Sequence, residues 1–180
     1  MRRLKNEKLE YNGKRFQVYK RVYEKDGLEY IRDVAKSRPG SIILPVDEND
    51  NIIFVKQYRE VLESETLELP AGLVEIGEDP KDTALRELEE ETGIVASSIE
   101  HLISFYPSCG MTDEKIHIYL AKDFKNGNTH FDVDEEITGI VKIPLLECYK
   151  KQEEGYFEHA STNIAIMMYR LYKDKNNSKF

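Results

Sequence analysis

Cysteine is scarce in this chain: Cys109 and Cys148 are the only two among 180 residues. Two thiols exclude a disulfide scaffold and make a reducing, cytoplasmic setting the expectation. No apolar run approaches the roughly 18 residues that a membrane helix needs, and the opening MRRLKNEKLE has no signal-peptide core. A basic surplus is missing too. Lys and Arg number 26 against 34 Asp and Glu, a formal net charge of −8, which argues against nucleic acid or an anionic membrane as partner. Internal repeats and low-complexity blocks are absent as well. What remains is a composition that folds, 40% hydrophobic and 33% charged, on a chain long enough for one ordinary core. Of the 34 acids, 23 are Glu, and they cluster.

The pattern predicts a mixed α/β domain (41–173) preceded by a β-rich arm (1–40) and followed by a frayed tail (174–180). In the arm, residues 15–23 alternate apolar and polar, Asp26-Gly27 is a two-residue turn, and 30–35 continue beyond it. Residues 41–46 and 52–58 are β-rich runs joined by 47–51, read as a second hairpin. Their near-continuous apolar character predicts burial on both faces. Strands are also expected at 115–121 and 139–143. Helices are expected from Asp79 to Gly93, over 144–152, and over 161–173, where Ile164, Met167, Met168 and Leu171 stand at helical spacing and the methionines read as core filler.

The first helix carries the chemistry. Asp79 suits the N-cap, Pro80 the first helical position, and Gly93 the residue past the end. Glu87, Glu90 and Glu91 fall within an arc of roughly 100°, with Leu85 and Leu88 turned elsewhere. Glu87 and Glu91 are a like-charge i,i+4 pair at the helix C-terminus, the wrong end for anions. Such a conflict points to a functional site, and hard carboxylate oxygens on one face suit Mg²⁺ or Mn²⁺. A solvated acidic face, quieted by Arg86 pairing with Asp82 and Glu90, is the alternative.

Upstream, LELPAGLVEIG runs a strand into Pro70-Ala71-Gly72, small residues that let the backbone approach a ligand. The whole segment 72–94, GLVEIGEDPKDTALRELEEETGI, resembles the Nudix box. Gly72, Glu78, Arg86, Glu87, Leu88, Glu90, Glu91, Gly93 and Ile94 fill its nine fixed positions. The likeness extends over about residues 40–170 and is greatest to ADP-ribose and ADP-sugar diphosphatases. It rests on 55–59 (VKQYR), 105–114 (FYPSCGMTDE) and 132–140 (DVDEEITGI).

The resemblance implies a Nudix-fold α/β/α sandwich with a mixed sheet. It also implies hydrolysis of ADP-ribose, or a related ADP-sugar, to AMP and ribose 5-phosphate with two or three Mg²⁺ or Mn²⁺ ions. Glu87, Glu90, Glu91, the Ala71 carbonyl and Glu136 would be the metal ligands, with Arg86 orienting the glutamates and Glu78 bracing the loop. Arg59, Ser108 and Glu114 would contact substrate, and Asp134 or Glu135 would supply the general base beside Glu136. The arm would pair two subunits into a homodimer, its Phe16, Tyr19, Tyr23 and Tyr30 either covering the partner and reaching an adenine or closing the monomer's own core. One departure stands out: Cys109 occupies the position of the subfamily's marker proline. It keeps open GDP-mannose or a dinucleotide as substrate. A non-catalytic ADP-ribose sensor is the remaining alternative, and the intact glutamates speak against it.

Overall fold

The computed structural model of the chain describes residues 1–127 and 137–177, in two compact units. The first comprises Met1–Gly40 with Ser104–Ile116. Its frame is an antiparallel meander, β1 (Arg3–Asn12), β2 (Phe16–Lys25) and β3 (Leu28–Ser37), in the order β1-β2-β3. Asp26 and Gly27 both take positive φ, 53° and 81°, as a two-residue turn between right-twisted strands requires. Tyr23 pairs with Tyr30 across the ladder, the rings stacked with centroids 5.7 Å apart. The β1 strand has no apolar alternation to announce it, because every residue is exposed. Its ladder is supplemented by ion pairs such as Lys5–Glu24 at 2.8 Å. Residues 104–116 join this unit through the backbone: Ala35 N donates to Met111 O and Gly40 N to Lys115 O, both at 2.9 Å.

The second unit, Ser41–Ile103 with His117–Phe180, holds two sheets and three helices among its described residues. One sheet has β5 (Asn51–Arg59) between β10 (Ile137–Pro144) and β6 (Ser64–Glu68). The other runs β7-β4-β9-β8, from Ala71–Leu73, Gly40–Pro45, Ile116–Asn126 and Ile94–Phe105. The runs 41–46 and 52–58 are therefore not a hairpin pair. They share one bridge, Val46 to Ile52, and the turn between them carries the chain from one sheet to the other. Asp47 builds that turn by accepting from the backbone of Asn49 and Asn51 and from the Asn51 amide. The burial expected on both faces is present and explains the correction. Each strand is internal to its sheet, with a neighbour on either side, so neither has an edge to offer the other.

The helices are α1 (Pro80–Thr92), α2 (Leu145–Glu153) and α3 (Ala160–Asn177). On α1, Ala84 and Leu88 pack with Ile43, Tyr119 and Ala121 in a buried cluster, which turns the other face of the helix toward its acids. The α3 helix runs to Asn177, past the end the sequence suggests, and its buried face is rotated from the expected one. Ser161, Thr162, Ala165, Ile166 and Tyr169 are inside, while Met167 and Leu171 are more than half exposed and Met168 is half-buried. The apolar spacing is real, but Ala165 and the polar residues of the first turn set the packed face, so the methionines are not core filler. Among the described residues no helix is long and apolar enough to cross a membrane.

Candidate active site

The chain enters the site along β6 and turns through Pro70, Ala71 and Gly72 into the loop before α1. Asp79 caps α1 by accepting from Lys81 N at 2.8 Å, and Gly93 ends it in the left-handed region at φ 66°. No basic residue occupies the last turn. The glutamates crowded there meet the negative end of the helix dipole, with no cation in that turn to offset it.

Glu87 and Glu91 are both buried, at 6% and 1% exposure. A Cβ on Gly72 would stand 1.7 Å from Glu87 Oε1, so the absence of a side chain at 72 is what lets this carboxylate lie against the loop. Arg86 supplies the opposing charge. Its Nη1 lies 2.8 Å from Glu87 Oε1 and 2.7 Å from Glu90 Oε2, while Nε donates to Glu78 Oε1 at 3.2 Å. Glu78 also accepts from Thr83 Oγ1 at 2.7 Å and Glu75 N at 3.1 Å, tying the loop to the first turn of the helix. The Arg86 hydrogen bond, ahead of the others, holds the Glu78 carboxyl down at about 2. Burial works against the charge of Arg86, but Glu78, Glu87 and Glu90 outweigh it and raise its pKa. One guanidinium thus faces three carboxylates, and the expected pairing of Arg86 with Glu90 is one arm of a larger fork.

A second cluster lies on the neighbouring sheet. Arg59, at the end of β5, grips the Glu68 carboxylate side-on, Nε to Oε1 and Nη2 to Oε2, both 2.8 Å. The Glu68 side chain is 3% exposed, accepts from Thr66 Oγ1 at 2.6 Å, and has His159 Nδ1 3.4 Å from Oε2. Burial opposes its charge, yet Arg59 and its other partners outweigh that and lower its pKa. Burial, ahead of the opposing pull of Glu68, lowers the pKa of His159, whose Nδ1 also lies 3.3 Å from Thr162 Oγ1. Sequence reasoning missed Glu68 and His159. The one local signal for Glu68 was an acid in register with Thr66 on the buried side of a short strand.

The structure thus brings together Glu78, Arg86, Glu87 and Glu90 on and before α1, with Glu91 one turn along, and sets Arg59 on Glu68. Ser108 and Glu114 belong to the first unit. There the Ser108 carbonyl accepts from Met111 N and Thr112 N at 2.9 Å, Glu114 N donates to Thr112 Oγ1, and Cys109 is exposed. Asp134, Glu135 and Glu136 lie outside the described residues. Among the described residues no three of His, Cys, Asp and Glu close around one point to hold an ion. The acids of α1 are the right donors for a hard divalent cation, but in this arrangement Arg86 engages two of them.

The NUDIX domain model matches residues 36–162, which include both clusters. The chain is a Nudix hydrolase. Such enzymes generally work with a divalent metal. A methanol dehydrogenase activator of Bacillus methanolicus is 41% identical over 135 residues, 74% of this chain and 73% of that one. A protein of Bacillus subtilis (strain 168) named ADP-ribose pyrophosphatase is 36% identical over 164 residues, 89% of this chain and 88% of its own. A crystal structure of an ADP compounds hydrolase superposes with a TM-score of 0.87 at 23% identity, covering 97% of this chain and 95% of the other. That likeness shows the Nudix fold: mixed α/β, here with three sheets and three helices among the described residues.

Proposed function

We propose that this Nudix hydrolase cleaves the diphosphate of ADP-ribose, or of a related ADP-sugar, to AMP and ribose 5-phosphate. The observation that carries the reading is the buried pair Glu87 and Glu91, with Gly72 leaving room for the Glu87 carboxylate. The relative named ADP-ribose pyrophosphatase, which matches most of both chains, supplies the substrate. Burying two like charges is costly unless cations compensate, and a single arginine shared among three acids compensates in part.

Mg²⁺ or Mn²⁺, as two or three ions, would be held by Glu87, Glu90, Glu91, the Ala71 carbonyl and Glu136. Bound there, the cations would neutralise the diphosphate and acidify the attacking water. Around them the chain's own groups hold geometry and move the proton. Arg86, anchored on Glu78, keeps Glu87 and Glu90 oriented. Arg59 engages a phosphate, Ser108 and Glu114 contact the terminal ribose, and Glu136, Glu135 or Asp134 accepts the proton of the attacking water. The working enzyme is a homodimer paired through residues 1–40.

The test is a substrate panel of ADP-ribose, an ADP-sugar, GDP-mannose and a dinucleotide, run with and without Mg²⁺ and read by product chromatography. Cleavage of ADP-ribose in preference to the others supports the reading. Preference for GDP-mannose or the dinucleotide would transfer the assignment to the class that Cys109 keeps open. Binding of ADP-ribose without cleavage would make the chain a sensor.

A further inference from the structure

Arg59 can serve a ligand well only if something else fixes it, since a long cationic side chain at a strand end otherwise samples many rotamers. Here it is fixed in a particular way. The two contacts to Glu68 use Nε and Nη2, the side-on edge of the guanidinium. A planar guanidinium has a second, end-on edge formed by Nη1 and Nη2, which matches two oxygens of a phosphate as well as the first matches a carboxylate. The Arg59 side chain is 34% exposed while that of Glu68 is 3% exposed, so the pair has one buried and one accessible half. Glu68 itself accepts from Thr66 on its own strand, and His159, immediately before α3, lies 3.4 Å from its other oxygen. Register puts Arg59 opposite Ser64 and Glu68 opposite Val55, so the arginine folds back along β5 to reach its partner.

We propose that Glu68 is a positioning residue, whose carboxylate grips Arg59 side-on and thereby presents the end-on edge of the guanidinium to the substrate's diphosphate. This rests on reading the chain as a diphosphate hydrolase and adds the residue that aims its phosphate-binding arginine. Glu68 touches no reacting atom. A neutral residue there would leave Arg59 charged and able to bind, but in many orientations, so the loss falls on diphosphate affinity. Thr66 stiffens the grip by donating to Oε1, and the His159 ring flanks Oε2.

The experiment is a double-mutant cycle of Glu68→Gln and Arg59→Gln, read by calorimetry with α,β-methylene-ADP and Mg²⁺, with thermal unfolding of each variant alongside. Each single change is expected to weaken binding about tenfold, and the double variant to be within about twofold of either single. Losses that multiply, or wild-type affinity in Glu68→Gln, would overturn the proposal, because a merely structural glutamate would not couple to the arginine through the ligand. Should Glu68→Gln fail to fold, Arg59→Lys asks the same question with Glu68 intact. Lysine keeps the charge but has no second edge, and wild-type affinity in that variant would overturn the proposal. The analogue is not cleaved, so failure to hydrolyse ADP-ribose would sink the functional reading and leave this cycle interpretable.

Discussion

Glu87 and Glu91 are like-charged, buried and placed at the end of a helix that repels them. The proposed cations would compensate that charge, and residues around Glu87 keep its carboxylate in place. Gly72 is one such residue. Gly72→Ala would put a methyl 1.7 Å from Glu87 Oε1 and force that carboxylate to turn away. Since an ångström of misplacement costs about 10²-fold in rate, the expected outcome of steady-state kinetics is a loss of that order with the thermal midpoint little changed. Glu78 is another. Its carboxyl is held at about 2 against an ordinary 4.5, so the stabilisation it contributes is present above pH 4.5 and is lost as pH falls toward 2. Thermal unfolding from pH 7 downward should therefore show wild type above Glu78→Gln, the gap closing between pH 4.5 and 2. A constant gap would contradict the assignment.

At the scale of elements, α3 gives the sharpest contrast between apolar spacing and packing. Ile166 is fully buried and Met167, its neighbour, is 56% exposed. Ile166→Ala should cost about 2–5 kcal/mol in denaturant unfolding, while Met167→Ser should stay within about 0.5 kcal/mol. The sequence suggested the opposite for Met167, because period alone cannot say which of two adjacent stripes faces the core when one contains Ala165 and Tyr169. By contrast α1 was legible to the residue, since Asp79, Pro80 and Gly93 act through local backbone chemistry. The Asp26-Gly27 turn was legible for the same reason. The strands at 41–46 and 52–58 were legible as buried strands but not as members of different sheets, because partner choice depends on strands far away in the chain. Glu68 was illegible for a related reason: its partners Arg59 and His159 stand nine residues before it and far downstream. The acids of the box were found because a spacing pattern carries them, whereas a salt bridge between β-strands leaves no such pattern.

For the molecule as a whole, the first unit joins residues 104–116 to the meander of the first forty residues. The meander exposes Leu4, Leu9, Tyr11, Phe16, Leu28 and Ile31, an apolar set that a second subunit would cover. Sedimentation equilibrium at micromolar concentration should give twice the 21.0 kDa of one chain, and a 21.0 kDa species would contradict the dimer. On the reading proposed above, the buried glutamates of α1 make this Nudix hydrolase a cation-dependent diphosphatase. That dependence is tested most directly by AMP release from ADP-ribose in Mg²⁺, repeated with chelator and with Glu91→Gln. Turnover in Mg²⁺ should be abolished by chelator and lowered by about 10²–10³-fold in a folded Glu91→Gln variant. Turnover that is indifferent to chelator, or undiminished in Glu91→Gln, would contradict it.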